Sequence, residues 1–215
     1  MRKRAFIFDM DGVIIDSNPV HREAWVEYNL RHGVETTEAM HQHMYGKRND
    51  AIIRDFLGHH LTDAEVHEHS DRKEALYREL MRPRVAEALV PGLRQFLARH
   101  RDVPMGVASN ANAENVRFVL EQAGLGPFFR VAVSGGEVPR GKPFPDIFLR
   151  VAQLLEVPAE ECVVFEDSAT GVEAGLRAGM PVVGLSTTHD ELAGVSILVR
   201  DFLDPALAAW LANGS

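Results

Sequence analysis

A single cysteine, Cys162, stands in 215 residues, and no apolar run comes near the roughly 18 residues that a membrane span needs. One cysteine excludes an internal disulfide framework and any cysteine-built zinc site, and it agrees with a reducing compartment. Its place within Cys162-Val163-Val164-Phe165 predicts a buried, inert thiol. Basic residues are in deficit. With 23 Lys and Arg against 31 Asp and Glu, the formal charge of -8 disfavours a surface that neutralises a nucleic-acid backbone, so an anionic substrate must be attracted locally. The start, Met1-Arg2-Lys3-Arg4-Ala5-Phe6, lacks the apolar stretch of a signal peptide, and the expectation is a cytoplasmic protein without membrane or nucleic-acid partners. Gly (17) and Pro (11) are too few for a fibrous or disordered chain, and 46% apolar with 25% charged residues is ordinary globular composition.

Four short apolar runs each stop at polar residues. Ala5-Phe6-Ile7-Phe8 ends at Asp9, Asp11 and Gly12, and Met105-Gly106-Val107-Ala108 ends at Ser109-Asn110. Cys162 to Phe165 ends at Glu166-Asp167-Ser168, and Val182-Val183-Gly184-Leu185 ends at Ser186-Thr187-Thr188. Between them run helical stretches: Ala113 to Ala123 closed by Gly124, Pro145 to Leu155, and Ser168 to Ala178 closed by Gly179. Alternating β and α with continuous apolar strands predicts an α/β fold, a Rossmann-like parallel sheet covered by helices on both faces. The rhythm breaks between Asp16 and Glu87, where only helical signals occur. Asn18-Pro19 reads as an N-cap and first turn, and Thr62-Asp63-Ala64-Glu65 as a capping box opening a helix to about Met81. The expected organisation is therefore a catalytic core of 1–15 and 88–215 with a small α-helical cap, 16–87, inserted after the first strand. Pro91-Gly92 just beyond it reads as a hinge or a loop.

Asp9 and Asp11 are one residue apart, so in extended chain both carboxylates project to one side. With Glu166 and Asp167 they place four acids at the strand ends, where open α/β sheets bind ligands. Such a cluster needs a cation. All-oxygen donors favour Mg²⁺ over zinc or copper, and Lys142, in Gly141-Lys142-Pro143-Phe144-Pro145-Asp146, is the nearest cation among the motifs. A magnesium ion beside a lysine suits a phosphate.

Phe8-Asp9-Met10-Asp11-Gly12-Val13-Ile14-Ile15-Asp16-Ser17 closely resembles the first motif of the haloacid dehalogenase-like hydrolases. Ser109-Asn110 resembles the second, Lys142 in its Pro-rich loop the third, and Phe165-Glu166-Asp167-Ser168 the fourth, in the family's order and over essentially the whole chain. The insert resembles the helical cap of the branch with phosphoglycolate phosphatases, sugar phosphatases and β-phosphoglucomutase. The resemblance implies a phosphatase of a small phosphorylated metabolite, a sugar or sugar-alcohol phosphate; separately, a monomer is expected. It implies Asp9 as nucleophile forming an aspartyl-phosphate, and Asp11 as general acid and base. Mg²⁺ would be held by the side chains of Asp9 and Asp167 and the backbone carbonyl of Asp11, with Glu166 acting through a bound water. Ser109 and Lys142 would grip the phosphoryl oxygens.

Other residues carry open alternatives. Asn110 either contacts substrate or caps a helix, and Asp16 is expected to be a structural acid of the turn. His21 lies four residues before Trp25 and either packs on it or faces the substrate. Gly46-Lys47-Arg48 reads as a turn whose Lys47 and Arg48 reach across the cleft or simply carry surface charge. Eight of the ten histidines fall between His21 and His69, but spacings of one and two residues do not build a helical zinc site. β-Phosphoglucomutase is the competing activity. Counting back from Pro91-Gly92 sets the mutase's cap lysine at Glu79, against that reading, unless an offset brings Lys73 or Arg78 there. A phosphorylation-dependent signalling module is a third reading, opposed by the bulk of the cap. Asp11 disfavours dehalogenation, since a halide needs no proton.

Overall fold

The computed structural model describes residues 4–44 and 49–213. Six parallel strands form one sheet in the order β3-β2-β1-β4-β5-β6. They are β1 (Ala5–Phe8), β2 (Met105–Ser109), β3 (Val131–Ser134), β4 (Cys162–Glu166), β5 (Val182–Leu185) and β6 (Ile197–Val199). All four apolar runs read from the sequence are strands, and β3 and β6 are added at the two edges. Side chains alternate across β1. Phe6 and Phe8 enter one buried cluster and Ala5 and Ile7 the other, so both faces are covered and the strand is apolar throughout. On the first face Phe8 stacks on Phe165 of the neighbouring strand, with ring centroids 4.7 Å apart at 5°.

Core helices α5 (Leu93–Arg99), α6 (Ala113–Gln122) and α9 (Pro205–Ala212) contribute to the first cluster, while α7 (Asp146–Leu155) and α8 (Ala169–Arg177) contribute to the second. Between β1 and α5 lie the cap helices α1 (Asn18–Arg31), α2 (Glu38–Met44), α3 (Asn49–Leu57) and α4 (Asp63–Met81). α4 begins with the expected capping box: Thr62 accepts from the Glu65 backbone N–H, and the Glu65 side chain accepts from that of Thr62. Asn18 is not the N-cap of α1. Ser17 holds that position without a side-chain cap, because its hydroxyl donates to Asp11 instead, and Asn18 donates to Thr188. Trp25, Tyr28, Ile53, Phe56 and Tyr77 form the cap interior, and no described helix is long and apolar enough to cross a membrane.

The two chain segments that join cap and core run side by side. Val90 N donates to Ile14 O (3.1 Å) and Asp16 N to Ala88 O (2.7 Å), with Ile15 and Leu89 bridged antiparallel. Pro91 and Gly92 lie on the core side of this ladder: Pro91 O accepts from Phe202 N, and Gly92, at φ 80°, is the N-cap of α5. They are an anchored helix start, and the paired segments carry the connection.

Candidate active site

Strand connections leave β1 toward β2 and β3 on one side, and β4 leads on to β5 and β6 on the other, so the order reverses at the β1–β4 pair. The carboxyl ends of such a pair form a crevice. Asp9 follows β1, with its N–H donating to Phe165 O at 3.0 Å, and Asp167 follows β4. Ser109 ends β2 on the adjoining side. The chain after Asp9 turns sharply through Gly12 at φ 79°, and a Cβ there would strike the Asp167 carboxylate, so a glycine lets the two loops meet.

Lys142 Nζ donates to Asp9 Oδ1 and to Glu166 Oε1, the latter at 2.5 Å. Asp9, Glu166 and Asp167 are buried and offer carboxylate oxygens that all lie within 4.8 Å of one another. Three acids against one lysine leave uncompensated negative charge. Burial pushes Asp9 up to about 8; Lys142 opposes the rise, while Glu166 and Asp11 add to it. Asp167 is likewise raised well above the carboxylate range by burial, Glu166 and Asp9. Burial would lower the Lys142 value, yet Asp9 and Glu166 outweigh it and hold the ammonium charged. A hard divalent cation fits these oxygens and this charge deficit, as Mg²⁺ chemistry requires.

Both oxygens of Glu166 already accept from the protein, Oε1 from Lys142. Its Oε2 accepts from Asp167 N (3.0 Å), Ser168 N (3.1 Å) and Ser168 Oγ (3.0 Å), and Gly171 leaves room for it where a Cβ would collide with the carboxylate. Asn110 does not cap a helix; Asn112 caps α6. The Asn110 side chain instead brackets the Lys142 backbone, accepting from its N–H at 3.0 Å. Ser109 Oγ accepts from Ala111 N at 3.1 Å at the floor of the cleft. Asp16 is an exposed residue of the ladder. The Cys162 thiol is fully buried and pushed up to about 12 by burial and by Glu160 and Glu161.

Asp11 turns toward the cap. Its Oδ1 accepts from Ser17 Oγ at 2.5 Å and lies 3.6 Å from His21 Nε2. His21 packs on Tyr77, not on Trp25: the rings are parallel within 3° at 3.8 Å. Its Nδ1 is 2.9 Å from Lys73 Nζ, which sits 4.8 Å over the Trp25 ring and pairs with Glu74 at 2.7 Å. Among the described residues Lys73 is therefore the cap lysine that faces the site, whereas Glu79 is exposed, and the count back from Pro91-Gly92 is corrected by six residues. Lys73 and Glu79 both lie on α4, and six residues carry a side chain well around the helix, so with Lys73 facing the site Glu79 faces away. Gly46, Lys47 and Arg48 lie outside the described residues. Thr188, which donates to Asp167, and Asn18, which donates to Thr188 at 2.6 Å, were not singled out, although the polar stop after β5 signalled the former.

Burial alone would raise Glu74, but Lys73, His21 and hydrogen bonds from Lys73 and Asn49 pull it down to about 2. Protonation below the unfolded value of 4.5 thus favours the unfolded chain, and this contribution is complete above about pH 4.5 and lost as pH falls toward 2. It is on the order of 3 kcal/mol. Asp9 and Asp167 act with the opposite sign, so the comparison must be made against a variant. Urea midpoints of Glu74→Gln should fall less steeply than those of the native chain through that window.

Cap and core enclose a cleft of about 770 Å³ with Asp9, Asp11, Ser109, Lys142 and Asp167 on its core side and His21, Lys73 and Glu74 on its cap side. That volume suits a small molecule. A parallel sheet with a carboxylate-lysine cluster at its switch point, roofed by inserted helices, defines a capped α/β enzyme. The model of the haloacid dehalogenase-like hydrolases matches residues 3–179, and the chain belongs to that family. It is 33% identical to hexitol phosphatase A of Escherichia coli over 88% of this chain and 86% of that one. It is 29% identical to β-phosphoglucomutase of Bacillus subtilis over 95% and 92% of the two chains. A crystal structure of β-phosphoglucomutase from Clostridium difficile superposes with a TM-score of 0.87 at 24% identity, over 99% of this chain and 98% of that one, a likeness of fold.

Proposed function

We propose that the protein is a Mg²⁺-dependent phosphatase that hydrolyses a small sugar or sugar-alcohol phosphate through an aspartyl-phosphate on Asp9. The observation that carries this reading is the Asp9 carboxylate, paired with Lys142 and beside Asp167 at the closed floor of the cleft. Asp9 attacks phosphorus as the bond to the sugar oxygen breaks, and Asp11 gives that oxygen its proton. Water then attacks the phosphoryl group; Asp11 takes a proton from it, phosphate leaves, and Asp9 is regenerated. Ser109 and Lys142 hold the phosphoryl oxygens, and Glu166 keeps Lys142 in place. Mg²⁺, held by Asp9, Asp167 and the Asp11 carbonyl, would neutralise charge on the phosphoryl group. His21 and Lys73 present the cap to the leaving group, with Asn110 supporting the lysine loop. The cap is the unit 16–87, which excludes bulky macromolecular substrates when it covers the core, 1–15 and 88–215, while the hydrolytic water is admitted.

β-Phosphoglucomutase is the second reading, and Lys73 favours it: the sequence argument against a mutase placed an acid where the site holds a lysine. One assay separates the two. Phosphate release is followed from hexitol phosphate, sugar phosphates, glycerol phosphate and phosphoglycolate, with Mg²⁺ and with chelator, while β-glucose 1-phosphate is monitored for conversion to glucose 6-phosphate. The expected result is chelator-sensitive release, fastest on sugar or hexitol phosphates. Isomerisation with little free phosphate would make the enzyme a mutase.

A further inference from the structure

Asn115 lies in the first turn of core helix α6 and is 1% exposed, yet both ends of its amide are engaged by cap helix α4. Nδ2 donates to Glu74 Oε2 at 2.5 Å, and Oδ1 accepts from Arg78 Nη1 at 2.8 Å. A carboxylate can only accept and a guanidinium can only donate, so the amide has one orientation. Glu74 Oε1 in turn accepts from Lys73 Nζ at 2.7 Å, Lys73 meets His21 Nδ1 at 2.9 Å, and His21 Nε2 stands 3.6 Å from Asp11. Asn115 and Asp11 belong to the core, and Glu74, Lys73 and His21 to the cap. The circuit leaves the core at one point and returns to it at the other, and it is complete only when the cap is seated.

We propose that Asn115 is a positioning residue: by docking on Glu74 it seats the cap so that Lys73 and His21 stand over Asp11, which makes alignment of the acid–base group conditional on closure. The chemistry of the contact suits a reversible latch. An apolar seam would resist opening, whereas an amide and a carboxylate exchange each other for water at a small net cost, so the cap can release product. Glu74 also accepts from Asn49 Nδ2 at 2.5 Å, tying the start of α3 to the same carboxylate. The cap therefore meets Asn115 as a preassembled acceptor. Glu74 remains ionised throughout the neutral range, so the acceptor is present whenever the cap approaches.

The inference rests on Asp11 as the acid–base group of the proposed phosphatase, and the test has one arm without turnover. In that arm, amide hydrogen exchange is measured on the substrate-free protein. Asn115→Ala is expected to speed exchange in α1 and α4 while leaving α7 unchanged, and native exchange in α4 would overturn the latch. In the second arm, Asn115→Asp keeps the Arg78 contact but sets a carboxylate against Glu74. Its kcat on the best sugar phosphate should fall about tenfold, with a smaller change in KM. Adding Glu74→Gln lets the new amide donate to the new carboxylate while its oxygen still accepts from Lys73, and most of the lost kcat should return. A native kcat in Asn115→Asp, or losses that simply add in the double variant, would overturn the proposal. Failure of the phosphatase reading would look different: no phosphate release from the native chain, with the exchange pattern intact.

Discussion

Asp9→Asn is expected to lower phosphate release by more than about a thousandfold while the protein stays folded. The carboxamide is a poor nucleophile, and it cannot form and shed an acyl phosphate as a carboxylate does. The fold should tolerate the change because Asp9 is held by backbone, through the bond from its N–H to Phe165 O, and Lys142 keeps Glu166 as a partner. The variant also relieves a buried cluster in which burial, Glu166 and Asp11 already push Asp9 upward. Its thermal midpoint should therefore equal or exceed that of the native chain even as turnover disappears. Substantial release by a folded variant would remove Asp9 from the mechanism.

Lys142→Met should damage both stability and activity. The ammonium is buried between Asp9 and Glu166 and 4.9 Å from the Phe148 ring, so its loss leaves an uncompensated group of carboxylates in a buried site. Breaking one side of a buried ion pair costs about 3–5 kcal/mol. Added Mg²⁺ should recover part of this loss, because a cation that binds only the folded acids stabilises by mass action. Activity should not return with stability, since the proposed mechanism uses Lys142 to grip the phosphoryl oxygens. Melting curves with Mg²⁺ and with chelator test the first part; a variant as stable as the native chain without metal would contradict the charge balance described for this site.

Much of this site was legible in the sequence because the central strands are buried on both faces. Each therefore reads as an apolar run with an abrupt polar stop, and the stops are the site: Asp9, Ser109, and Glu166 with Asp167. The edge strands gave no such signal. Val131–Ser134 is half-exposed at its start and Ile197–Val199 is three residues long, so neither reads as a continuous buried run. Local rules succeeded where local chemistry decides, as at the Thr62 capping box. They failed where tertiary partners claim the side chain: Ser17 and Asn18 serve Asp11 and Thr188 in place of capping α1. His21 illustrates the same limit, because its stacking partner Tyr77 is on another helix and no spacing rule reaches it. The link from Asn115 to Glu74 joins two separate helices and is equally invisible to periodicity.

The most direct test is to stop the native enzyme with acid during turnover of its best sugar phosphate in the presence of Mg²⁺, digest it, and weigh the peptide that contains Asp9. The account predicts a phosphoryl group on that aspartate, absent with chelator and absent in Asp9→Asn. Steady phosphate release with the Asp9 peptide never phosphorylated, under conditions where phosphoryl-aspartate survives the quench, would contradict it.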